Sequence, residues 1–578
     1  MLKRRWLVAL SLAAAGLLPM PLMALQAVPL LVEQCLQYST DFQPDFSSIT
    51  ALERQTLGLQ NLADQIHYYR GFALSRDERE DLLECQLTLA DAMFKVLSSP
   101  ALPPLLTTIE HGDVPGAQSL AQRYQYLRQH QLSQTQKARL STTQASIRQH
   151  LKSNRFHLSL GRCSLPADAT VVLGAKSSTA NGDTSATPAA DSTLAQSIAG
   201  YLLQQPDAEC RRQVWQQYQA RAKRHNQPLL KSLLQLRQRQ AQAAGYDNYA
   251  EYRLQQQLMG STKNLSNFLT AMTHQLPFPP WDLGRALTSS KSTPVPPMSQ
   301  HRFIQQILTR LTTLGISHEF IDKQQLRLWH HQRLLGEIWL TNDTQNQARL
   351  IRHSVVGQQF GQSQLGLKPQ LTSLRDYQSA IRAVSRSLSQ LAAGGRYYLN
   401  NALPLPQDAG NIGTLWLQQW LSHGFTPSLL PAPHSREQLI EDYQQNLALF
   451  HASVTLQLYQ QPHHLPTATT YSALFPGQWP QTDDYAYSFS GIADPGPLLY
   501  GDIWQPLVAD AIYQHTATCS PTTLFEQLLI NEDGHGITRL LQRIWGGQPV
   551  RQIIARIHEG RYRAPAASQC PLSTPSPH

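Results

Sequence analysis

Leu374-Arg375-Asp376-Tyr377-Gln378-Ser379-Ala380-Ile381-Arg382-Ala383-Val384-Ser385-Arg386-Ser387-Leu388-Ser389-Gln390-Leu391 is the stretch on which the fold turns. Leu374, Tyr377, Ile381, Val384, Leu388 and Leu391 recur every three or four residues, which is the period of one face of an α-helix. Gly394 and Gly395 then supply a stop. The same period runs from Val214 to Ala244, closed by Gly245, and from Leu439 to Tyr459. Strand-like alternation is scarce, with Gly336 to Leu340 its best short example. The expectation is a mainly α protein with minor β structure.

Composition narrows the class without giving a function. The 578 residues include 41% hydrophobic and 15% charged, the balance of a folded protein. A disordered chain carries more charge, and a multi-span membrane protein more apolar residues. The 31 Gly and 37 Pro follow no fixed period, against collagen-like or simple repeat architectures. Lys3, Arg4 and Arg5 precede an apolar run from Trp6 to Leu18, then small residues near Ala24 and Ala27. That order is a secretory signal over residues 1–27, too short for a comfortable membrane span. The expected product is periplasmic or secreted, without a membrane span. Its removal lowers the net charge from +9 to +6. The remaining basic residues are dispersed and form no patch of the kind nucleic acid requires.

Cys35, Cys85, Cys163, Cys210, Cys519 and Cys570 all follow the signal. An even count in an exported chain favours disulfides, and six cysteines allow 15 pairings. Pairing neighbours is the simplest: 35 with 85, 163 with 210, and 519 with 570. The organisation expected along the chain is a helical region over 28–165, then an Ala/Ser/Thr-rich loop over 166–195. A large domain over 196–563 and a tail over 564–578 follow. Thr288 to Ser299 has the composition of a linker.

The common catalytic signatures are missing. The nearest approach to a nucleophile elbow, Gly361-Gln362-Ser363-Gln364-Leu365, lacks its last glycine. No two of the 21 histidines are four residues apart, so no helix presents an H-E-x-x-H pair to zinc. His318-Glu319-Phe320-Ile321-Asp322 is a weaker candidate, more simply a solvated loop or helix start. In the doublets His330-His331 and His463-His464, adjacent side chains on a helix or strand diverge and rarely share an ion. Asp502 and Asp510, in an apolar helical segment, are taken as structural carboxylates.

Several spaced patterns nevertheless agree in order. Arg212, Tyr218, Arg221, Asn226, Leu236-Arg237, Ala241, Gly245-Tyr246, Tyr249 and Tyr252 resemble a helical segment of the thimet oligopeptidase family. That family includes oligopeptidase A and dipeptidyl carboxypeptidase, zinc enzymes that cut short peptides. Trp281-Asp282, Leu314-Gly315-Ile316 to Trp329-His330, Gly336 to Leu340, and Trp504 to Tyr513 resemble its later blocks. The similarity spans about residues 210–560, with 269–303 much shorter than usual. It implies a two-lobed, clam-like helical fold around a deep central channel.

The resemblance also places the family's metal site, with Arg396-Tyr397, Asp408 and Trp420 setting the register. Arg382 and Arg386 then fall at the two histidine ligands, Ala383 at the general base and Asn411 at the glutamate ligand. A guanidinium stays protonated and offers zinc no lone pair. Alanine takes no proton from water. Between His353 and His423 there is no His, Cys or Glu at all, so a shifted register finds no replacement. In the substrate-polarising segment, Phe489 occupies the histidine slot; Pro495, Leu499 and Asp502 occupy tyrosine slots, with Tyr500 one place away.

The implied protein is a pseudopeptidase without zinc, binding peptides or a protein partner along Arg382, Arg386, Asn411, Phe489 and Tyr500. Two other readings remain at this point. One is an active peptidase with its metal site rebuilt around His318, Glu319 and His330. The other is a structural or assembly protein of the periplasm.

Overall fold

A computed structural model describes residues 27–110, 114–152, 161–163, 194–425, 429–461, 467–532, 534–560 and 570–572. The signal segment, most of the loop at 166–195, His463-His464 and most of the tail lie outside these residues. Helices dominate, with two short sheets, so the mainly α expectation holds.

The deciding stretch forms the helix Leu374–Ala392. Ser373 caps it: its hydroxyl accepts from the Asp376 N–H, while the Asp376 carboxylate accepts from the Ser373 N–H. This reciprocal capping satisfies donors that a helix start leaves open. Tyr377, Ile381, Val384, Leu388 and Leu391 are buried against a five-stranded sheet and against the helix Ile412–Ser422. Repeated apolar residues on one side and Arg382 and Arg386 on the other therefore reflect a helix that is packed on one face and wet on the opposite one.

The minor β structure extends beyond the Gly336 to Leu340 candidate. β1 (Met298–Ser299) pairs with β7 (Gln370–Leu371), so the linker-like segment ends in a short strand. The larger sheet contains β2 (Ile316–Phe320), β3 (Gln325–His330), β4 (Arg333–Asn342), β5 (Gln347–Arg352) and β6 (Gly361–Leu367), in the order β2-β3-β4-β6-β5. β4 and β6 run parallel and the other pairs antiparallel. At the parallel pair, a Cβ on Gly336 would collide with the Gly361 carbonyl oxygen and the Leu391 side chain. Bare glycines let the helix lie close on these strands.

His318 to Asp322 is solvated as expected, but it is neither a loop nor a helix start in its first half, since His318 to Phe320 lie in β2 and are exposed. The 214–244 pattern is also two helices, Ala208–Gln219 and Lys223–Ala243. At the break, the Arg221 guanidinium lies 4.0 Å over the Tyr218 ring and donates to the Tyr218 carbonyl oxygen. It thereby satisfies an end carbonyl of the first helix.

Helices Ala27–Asp41, Ile49–Tyr69, Arg76–Ser98, Leu102–Glu110 and Ala117–Gln129 share a separate core. Val355, Tyr397, Tyr398 and Leu399 enter this core from far along the chain. Asp64 reinforces the junction, accepting from the Tyr398 hydroxyl at 2.7 Å and lying 2.8 Å from His353 Nδ1. The disulfides follow neighbour pairing: Cys35–Cys85, Cys163–Cys210 and Cys519–Cys570, with Cα separations of 5.9, 5.2 and 4.8 Å. Among the described residues, no helix is long and apolar enough to cross a membrane.

Candidate functional site

Two helices carry the positions at which the resemblance sets a metal centre. Arg382 and Arg386 are exposed on Leu374–Ala392, while Ala383 is turned into the core. One helical turn separates the two arginines, so they are neighbours on that face. Burial of surrounding atoms and the like charge of Arg375 lower the proton affinity of Arg382; Glu441 opposes this. Gln378, one turn earlier, donates to Glu441 at 3.2 Å.

Asn411 is exposed just before Ile412–Ser422, and its backbone N–H donates to Gln505 Oε1 at 2.7 Å. A cavity of about 230 Å³ adjoins this region, with Ser389 and Ala393 on one side and Gly413 and Thr414 on the other.

The aromatic positions behave differently from the arginines. Phe489 is half-buried and stacks on the His451 ring at 4.1 Å. Burial pushes His451 down to about 4, so its neutral ring can accept from the Tyr485 hydroxyl 2.6 Å away. Tyr500 does not line a channel: it is 0% exposed, and its hydroxyl donates to Asp408 Oδ2 at 2.7 Å. Asp408 is itself buried and accepts from the N–H groups of Leu258 and Met259 at 2.8 and 3.0 Å. Desolvation raises its proton affinity, and these three donors act in the opposite direction. Tyr500 and Asp408 therefore form an internal clamp that joins three segments.

The proposed replacement set also separates. Glu319 lies 3.7 Å from Arg327, and the His318 ring meets Phe320 edge-on. His330 sits at the far end of β3, where its register partner is Ile316. Asp502, exposed on Gly501–His515, has its proton affinity raised by desolvation.

Residues that carry the resemblance between 210 and 252 hold the fold together. Buried Arg237 donates to the carbonyl oxygens of Ala493 and Asp494 at 2.6 and 3.1 Å and bonds the Tyr459 hydroxyl. Buried Asn226 donates to Tyr487 O at 3.3 Å, and its own side-chain oxygen lies 3.0 Å from His150 Nδ1. These residues brace the scaffold through bonds to buried backbone groups.

Comparison with known proteins agrees with that division. No match is found among curated protein sequences. Residues 201–277, the segment containing Asn226 and Arg237, match peptidase family M3. The fold is similar to the crystal structure of a "putative peptidase" from Chlamydophila abortus, with a TM-score of 0.50 and 11% identity over 93% of this chain and 96% of that one. The chain thus has a peptidase-like helical fold, and a family M3 signature in the part that braces it.

Proposed function

We propose that this chain is an exported, non-hydrolysing peptidase homologue that binds peptides along the exposed face bearing Arg382 and Arg386. One observation carries the reading. Where a zinc oligopeptidase would need two imidazoles, a general base and a carboxylate, this chain has two exposed guanidiniums, a buried methyl group and an amide. Two neighbouring cations repel a divalent ion but suit a carboxylate, which Arg can bind in bidentate fashion. A peptide's free C-terminus or an acidic side chain supplies that group. The three disulfides and the charged-then-apolar N-terminus support export, since such bonds persist in oxidising compartments.

The test uses the full mature chain, saturated with Zn²⁺ and incubated with a mixed library of short peptides. Mass spectrometry is expected to find the library intact, and chelator-sensitive cleavage overturns the non-hydrolysing reading. Fluorescence anisotropy with the same library is expected to show binding that weakens about tenfold in Arg382→Glu, the loss of one charge-assisted contact. Equal binding by wild type and variant removes the arginine face from the proposal. Recovery of a stable protein partner by crosslinking in cells, with no peptide binding, favours the assembly role instead.

A further inference from the structure

The hairpin between β3 and β4 turns through His331 and Gln332. His331 has φ 51°, a left-handed conformation uncommon for a residue with a side chain. This backbone reverses the usual divergence of adjacent strand residues and brings the two imidazole rings to 4.2 Å between centroids. Adjacent residues on a regular helix or strand rarely face one ion, and at this turn the His330 and His331 rings come together.

Glu526 reaches the same point from the C-terminal part of the chain. It begins a π-helical turn, Glu526–Ile530, and turns of this type are frequent at functional sites. Its Oε1 lies 3.7 Å from His330 Nε2 and 3.4 Å from His331 Nε2. One ligand atom from each of the three residues lies within 4.8 Å of the other two. A tetrahedral zinc ion with bonds of about 2.0–2.1 Å holds its ligand atoms about 3.4 Å apart, close to both carboxylate distances.

The buried ring of His330 points to a missing ligand. His330 is 6% exposed, and its Nε2 is buried with no hydrogen-bond partner. Such an orphaned atom is costly unless something meets it. Gly315, in a left-handed conformation at φ 74°, lies close against both rings, and a Cβ there would come within 3.1 Å of His331 Cε1. A Cβ there would lie 3.4 Å from His331 Nε2 and 3.6 Å from His330 Nε2. The cluster opens on a cavity of about 730 Å³ whose walls include Arg333, His535, Arg539 and Arg543.

We infer that His330 Nε2, His331 Nε2 and Glu526 Oε1 form a Zn²⁺ site joining the β3–β4 hairpin to the π-helical turn, with its fourth position open to the cavity. Two imidazoles and one carboxylate suit zinc, whereas magnesium and calcium take mainly oxygen ligands. The site is separate from the Arg382 face, and its test reads metal affinity, independent of peptide binding or cleavage.

The experiment strips the full mature chain of metal and titrates it with Zn²⁺ against a chromophoric chelator, with Co²⁺ absorption reporting ligand geometry. Wild type is expected to take up one equivalent with a tetrahedral Co²⁺ spectrum. His331→Ala and Glu526→Gln, both at solvent-accessible side chains, are each expected to weaken zinc at least tenfold with unchanged far-UV circular dichroism. His318→Ala, on β2 of the same sheet, is expected to bind as wild type does. Absence of stoichiometric zinc binding, or equal affinity in the His331 and Glu526 variants, overturns the inference.

Discussion

Glu53 offers a sharp test of how burial and charge are balanced in the N-terminal core. It lies on the helix Ile49–Tyr69, is 3% exposed, and accepts from the Tyr124 hydroxyl at 2.7 Å. Desolvation dominates, so despite bonds from Tyr124 and the Tyr398 backbone its carboxyl is pushed up from 4.5 to about 7. Between these two values the folded protein keeps a proton that the unfolded chain has released. Stability therefore falls as pH rises across the window, and the loss is complete above about pH 7. An interval of about 2.5 pH units at 1.36 kcal/mol each corresponds to about 3 kcal/mol. Glu53→Gln removes the titrating group while keeping an oxygen for Tyr124. Urea unfolding followed by far-UV circular dichroism is expected to show the variant gaining up to about 3 kcal/mol over wild type at pH 8. At pH 4.5 the two should nearly coincide. Parallel pH profiles, or a variant less stable than wild type at pH 8, would refute the reasoning.

The clamp around Asp408 gives an ordered pair of effects. Asp408→Ala orphans three buried donors and is expected to cost roughly 3–5 kcal/mol, whereas Tyr500→Phe removes one hydrogen bond and costs about 2 kcal/mol, both by urea unfolding at pH 7. Desolvation disfavours the Asp376 charge, but Lys368, the Thr372 N–H and the Ser373 hydroxyl hold its carboxyl down at about 2. Its stabilisation, about 2 kcal/mol above pH 4, is lost as pH falls towards 2, so Asp376→Asn should cost that much at pH 7 and little at pH 2. Gly336→Ala, driven into the Gly361 carbonyl, should cost about 3 kcal/mol and lower the thermal midpoint in calorimetry.

The long helices were legible because their apolar residues recur without interruption. The stretch opening at Leu374 and the one from Leu439 to Tyr459 appear as Leu374–Ala392 and Arg436–Gln460. The sheet was harder to read. β3 alternates with Leu326, Leu328 and His330 inward, but the run is only six residues long, its last inward position is a histidine and its neighbour β2 is mostly exposed. In β6, Gly361 and Ser363 are buried because the helix above approaches closely, and neither has an apolar side chain to announce it. At the candidate site, the solvent-facing positions of Arg382 and Arg386 followed from helical period alone. Burial of Tyr500 did not, because it depends on Asp408 arriving from 92 residues earlier. The meeting of His331 with Glu526 spans 195 residues and needs a positive φ at a non-glycine, which no local pattern signals.

The long-range composition of the N-terminal core constrains how this chain is made. Its five early helices cannot complete their interior until Val355 and Tyr397 to Leu399 arrive, so about 270 residues beyond Gln129 must leave the ribosome first. During that delay the helices Ile49–Tyr69 and Ala117–Gln129, which pack on the late helix Tyr398–Ala402, stay without part of their final cover. A chain built this way depends on being held apart from its neighbours while it waits. Its yield in a heterologous host should follow the supply of holding chaperones more closely than the stability of the finished fold.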